Sequence, residues 1–354
     1  VRLVEIHDGQ ANLHQAISLA PNHIWTFNTL ELLDTFERFR TVETGNFEVF
    51  LDGREADLLG PYMGAVAEDA LRTLGERYGT LPPLPIRLEV FPSHADFSVR
   101  TVGLAGLGAL GVSFGSVLAM DSPSARNVGD FNWASTLWHE VAHSFHLAIS
   151  EHHVPRWFTE GLAVWEQRRY QPGWGHSVSP EFLNAYASEQ LRPVSQLNEG
   201  FVRPRFPGEV PLSYLLASLV VERIEEEHGF GAIQQFLEGF RDGYTTNELI
   251  TRILQTELED FDESFDEWVR DRYRSALAST ADGPPDRGRA TDLTQAYDPN
   301  NFFAQLGRAV SSVTAGDTAT AISAFERVIE LYPEYGGPDS PYLSLIHISE
   351  PTRL

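Results

Sequence analysis

Trp133-Ala134-Ser135-Thr136-Leu137-Trp138-His139-Glu140-Val141-Ala142-His143-Ser144-Phe145-His146 is the stretch that decides the fold. Trp133, Leu137, Val141 and Phe145 recur at helical spacing and predict a buried helix over 131–150. On that helix His139 and His143 stand four residues apart. They lie within about 40° of each other around the axis, so both imidazoles point at one spot a turn apart. A single zinc ion needs that arrangement from two ligands. Glu140 lies beside the same face, close enough to reach a water there without being a ligand itself. The competing reading is a core histidine pair, but two imidazoles on a buried helix need a reason beyond packing.

The chain has no cysteine, which excludes thiolate zinc sites, iron–sulfur clusters, disulfides and cysteine nucleophiles. A zinc site must then be built from His and carboxylate side chains, and a catalytic one takes three protein ligands. Candidates for the third are His146, His152, His153, Glu160 and Glu166. His146 lies one turn beyond His143, and three consecutive turns of a straight helix do not converge on one tetrahedral ion. A pocket-lining or supporting role is expected for it. A zinc-peptidase class with a third His six residues after the second is excluded, because Ile149 stands there. His152 and His153 fall in a turn and would need an unusual loop. Glu160 opens the next helix, 157–170, after Pro155, with sixteen residues between it and His143. A helical hairpin of that length returns its carboxylate to the metal.

The 354 residues predict two domains, perhaps three, and a sizeable core. Residues 46–51 and 86–91 are rich in β-formers and read as strands. Between them, 54–78 reads as a helix whose apolar face carries Leu58, Met63, Val66, Ala70 and Leu74. Two further amphipathic helices precede this sheet. The class is α+β. Residues 101–120 hold no charge and are long enough to span a membrane. Five glycines favour instead a Gly-rich loop leading into a strand at 112–118. Residues 211–258 read as interrupted helix, and 257–273 as a packed helix with an acidic face. Residues 278–292 read as a linker. Residues 301–315 and 317–331 form a helical hairpin, in which Ala321, Phe325 and Pro333 match the second half of a tetratricopeptide repeat. A formal charge of −24 argues against nucleic acid and anionic membranes as partners. Leu343 to Leu354 resembles a translated sequencing adapter and is set aside from fold reasoning.

His139-Glu140-x-x-His143 followed by Trp157-Phe158-Thr159-Glu160-Gly161-Leu162-Ala163 resembles the gluzincin zinc peptidases, which comprise the thermolysin-like and aminopeptidase types. It is most similar to bacterial peptidase MA-like proteins that carry tetratricopeptide repeats, with 91–166 carrying the match and about 11–273 covered. The spacing of sixteen departs from the eighteen common in the aminopeptidases, and His146 matches no fixed ligand. The resemblance implies a small mixed sheet, the HExxH helix and a helical subdomain. It divides the chain into helices over 1–40, a metallopeptidase domain over 41–277, a linker at 278–299 and a repeat-like hairpin at 300–342. It implies Zn²⁺ on His139, His143 and Glu160, Glu140 as general base, and a peptide or protein substrate laid along the strand at 112–118. In relatives a Tyr or His from a later helix steadies the oxyanion, and Tyr214 is the candidate, with Tyr170 and His176 behind it. Arg156 is a candidate clamp for a substrate carboxylate, against the plainer reading of a solvated Arg. The repeat helices imply a protein partner, and no membrane span is expected. The chain starts at Val1, which reads as a cut start and leans towards an extracytoplasmic protein. The alternative from another class is a protease-like repeat protein that no longer cuts and serves as a binding scaffold; an intact Glu140 argues against it.

Overall fold

The computed structural model describes residues 6–127, 131–171, 173–274, 277 and 302–331. The linker at 278–299, Pro333, Val1 and the stretch 343–354 lie outside them. The chain divides into two compact units between His153 and Val154, inside the span read as one domain over 41–277.

The first unit begins with helices α1 (Ile6–Leu19) and α2 (Ile24–Thr35). Strands β1 (Phe39–Glu43) and β2 (Phe47–Asp52) follow as an antiparallel pair. Helix α3 (Gly53–Tyr78) then crosses to β3 (Ile86–Phe91), parallel to β2. Helix α4 (His94–Val102) crosses to β5 (Val117–Asp121), parallel to β3, and the short β4 (Gly111–Ser113) closes the edge antiparallel to β5. The five strands lie in the order β1-β2-β3-β5-β4. Helix α5 (Trp133–Ile149) ends the unit.

Side chains alternate across the sheet. Phe39, Phe50, Phe91 and Ala119 form one apolar face with Leu32 of α2 and Phe97 of α4. Val49, Leu51, Leu88, Val90, Leu118 and Met120 are fully buried on the other, where α3 and α5 pack. The expected strand at 112–118 is corrected to a hairpin. Gly115 takes φ +92° in its turn, and the Phe114 amide donates to the Val117 carbonyl at 2.8 Å. The chargeless run is therefore the end of α4, a loop and the hairpin, and no described helix is long and apolar enough to cross a membrane.

The second unit is helical among its described residues. Its helices are α6 (Arg156–Tyr170), α7 (Pro180–Ala187), α8 (Leu197–Val202), α9 (Glu209–His228), α10 (Phe230–Arg241), α11 (Thr246–Leu249), α12 (Leu258–Arg272), α13 (Phe302–Ala315) and α14 (Thr318–Leu331). α6 and α9 meet at closest range where Gly161 faces Ala217: a Cβ on Gly161 would lie 2.6 Å from the Ala217 backbone. Phe158 of α6 stacks on Phe236 of α10 at 5.3 Å. Phe261, Phe265 and Val269 are buried on α12, so its acidic run is the outer face of a packed helix. α13 and α14 pair as a hairpin, with Ala321 and Phe325 buried.

Candidate metal centre

Asn132 caps α5, its side chain accepting from the Ser135 amide at 3.1 Å, and so fixes where the helix begins. The buried positions Leu137, Val141 and Phe145 turn one stripe of the helix into the unit. His139 and His143 occupy a neighbouring stripe, with His143 only 8% exposed. Their Nε2 atoms stand 3.0 Å apart and their rings lie at 86°. That distance suits an N–H···N bond between neutral tautomers, and equally two acceptors turned to one cation.

Glu140 is buried beside them. Its carboxyl packs against the backbone of edge strand β4, where a Cβ on Gly111 would fall 2.5 Å from Oε1 and 2.9 Å from Cδ. Only a residue without a side chain leaves room there. The turn that follows β4 is tied to α5 one helical turn further on, where the Ser144 hydroxyl donates to the Gly115 carbonyl at 2.8 Å.

The chain leaves α5 through Glu151 and His152, both at positive φ, and re-enters a helix at Arg156 after Pro155. Glu160 lies on the first turns of α6 and is buried. One ligand atom from each of His139, His143 and Glu160 lies within 4.8 Å of the other two, the one such group among the described residues. The remaining candidates do not join it. His146 is fully buried, with Nε2 at 2.9 Å from the Tyr78 hydroxyl. His153 Nδ1 lies 3.2 Å from the Ser150 carbonyl. His152 packs beside Gly115 in the hairpin turn. Glu166 pairs with Arg169 at 3.4 Å.

In the second unit, Arg156 donates to Glu160 Oε1 at 3.3 Å and also bonds the Tyr214 hydroxyl. Partial burial opposes its charge, yet Tyr214 and Glu160 together raise its pKa above the ordinary value. Arg156 is thus tied to both neighbours while its side chain stays half exposed. Tyr214, on α9, is stacked on His176 at 5.0 Å and met edge-on by Phe201 at 5.1 Å. Sequence reasoning named Arg156, Tyr214 and Glu160 separately and missed that they form one chain of contacts. It also missed Gly111 and Tyr78; the glycine-rich run held Gly111, but nothing in the pattern singled out that glycine.

No protein-family model, no curated protein and no solved structure matches the chain.

Proposed function

We propose that the chain is a zinc-dependent peptidase of gluzincin type, with a thermolysin-like arrangement of sheet, HExxH helix and helical subdomain. The observation that carries the reading is the convergence of His139, His143 and Glu160, with the buried Glu140 beside the histidines. Two imidazoles and one carboxylate are a donor set that zinc takes in catalytic sites. Ligands bound at about 2.0–2.1 Å around a tetrahedral ion stand roughly 3.3 Å apart, close to the 3.0 Å between the two Nε2 atoms. The residues therefore fit the ion.

Zinc, when bound there, polarises a carbonyl and lowers the pKa of water to about 7. Glu140, held against β4, takes a proton from the attacking water and delivers it to the leaving nitrogen. Tyr214 supplies a hydroxyl donor to the oxyanion. A guanidinium only donates, so the Tyr214 oxygen accepts from Arg156 and the hydroxyl keeps its capacity to donate. Strand β4 lies at the sheet edge, where an extended substrate backbone can pair with it.

The test is metal content together with turnover. The purified chain is expected to hold about one zinc and to cleave a mixed peptide library. Glu140→Gln should keep the zinc and lose cleavage. Stoichiometric zinc with no cleavage by the wild type would leave the binding-scaffold reading instead.

A further inference from the structure

His146 is the third histidine of α5, outside the metal group, and it is fully buried. Its ring stands edge-to-face on the ring of His143, with centroids 5.7 Å apart and planes at 89°. Its Nε2 meets the Tyr78 hydroxyl at 2.9 Å. Tyr78 is the last residue of α3, itself 3% exposed, and its ring packs on Phe145 at 5.3 Å. Gly79, at φ +68°, ends α3 directly after it, so the tyrosine sits at a fixed end of a long helix rather than on a loop.

A buried imidazole has two soft torsions, and a metal site tolerates only small errors in where its nitrogen points. The His146 ring occupies space that the His143 ring would need in order to rotate. The Tyr78 hydroxyl in turn holds His146 in that rotamer. We propose that Tyr78 and His146 are a positioning pair for His143, so that zinc affinity at the His139–His143–Glu160 group is set partly from α3. This inference rests on the metal reading of the site.

The experiment measures zinc affinity of the full chain by chelator competition, together with the visible spectrum of the cobalt-substituted protein, which reports ligand geometry. Tyr78→Phe removes one oxygen and leaves the ring on Phe145. It should weaken zinc by about tenfold or more, as loss of a group supporting a ligand does elsewhere, and it should alter the cobalt bands. Tyr62→Phe, exposed on the same helix, should change neither. If Tyr78→Phe does not fold, His146→Gln carries the same test. It keeps an amide for the tyrosine hydroxyl but loses the ring against His143, and should show the same two changes. Wild type that binds zinc no more tightly than either folded variant, with unchanged cobalt bands, overturns the positioning pair and leaves the metal site intact. Wild type that binds no zinc overturns both readings.

Discussion

Glu140 is held by what its neighbour lacks. With Gly111 in β4, the carboxyl lies against bare backbone; a methyl group there would overlap Oε1, Cγ and Cδ. Gly111→Ala therefore displaces Glu140, the proposed general base, without touching any of the three proposed ligands. Zinc content should stay at the wild-type value while kcat falls, by about 100-fold if the proton transfer is lost. A variant of unchanged kcat would remove Glu140 from that role. Tyr214 gives a second test at this scale. Tyr214→Phe keeps the ring between His176 and Phe201 and removes the donor, so kcat should fall by about 100-fold with KM little changed. The pair His139 and His143 was legible from spacing alone, because i and i+4 on a buried helix leave few other geometries. Glu160 was legible through the hairpin length and through the resemblance carried by Trp157 to Ala163. The packing of Gly111 on Glu140 was not, since it depends on a strand brought beside α5 by the sheet order and not by sequence distance.

At the scale of elements, the α6–α9 contact is the most exacting. Gly161 follows Glu160, and any side chain there meets the Ala217 backbone. Gly161→Ala should force the two helices apart at a stability cost of about 1–3 kcal/mol. It should also weaken zinc binding, because Glu160 and Tyr214 ride on those two helices. A lowered thermal midpoint with unchanged zinc affinity would separate the packing from the site. Strands β2 and β3 were readable because each is a run of β-formers in a buried place, and α3 because Met63, Ala70 and Leu74 of its expected face recur at helical spacing and are buried, whereas Leu58, expected on the same face, is 67% exposed. β1 was not read: it lies at the sheet edge, with Arg40, Thr41 and Glu43 exposed and Val42 half-buried, so no apolar run marks it. The β4–β5 hairpin was read as one strand because the alternation of Val112 to Leu118 continues through the turn, and only the left-handed Gly115 reveals the reversal. α7 and α8 are eight and six residues long, too short for a helical period to stand out. α7 nonetheless carried a start signal in Ser179-Pro180, where the Ser179 side chain accepts from the Phe182 amide at 3.2 Å.

At the scale of the whole molecule, most of the described acidic side chains are exposed or half-buried, but a few carboxylates are built into the fold. Glu209 is buried between Arg192, at 2.8 Å, and Arg205. Burial pushes its pKa up; the Arg205 amide and the two guanidiniums pull it further down, to a net value below 4.5. Glu68 is likewise opposed by burial and drawn below 4.5 by Asn46 and Thr44. A carboxylate with a depressed folded pKa adds stability that is fully present above its unfolded pKa and is lost as pH falls through the folded one. The thermal midpoint should therefore hold from neutrality to about pH 4.5 and drop below it. Glu209→Gln should start lower and drop less steeply, and an equal slope in the two proteins would count against the linkage. The most direct measurement for the metallopeptidase reading is zinc content per purified chain, taken side by side for wild type, Glu140→Gln and His143→Ala. The account predicts about one zinc in the first two and almost none in the third. Wild type with far less than one zinc, or His143→Ala with as much as wild type, would contradict it.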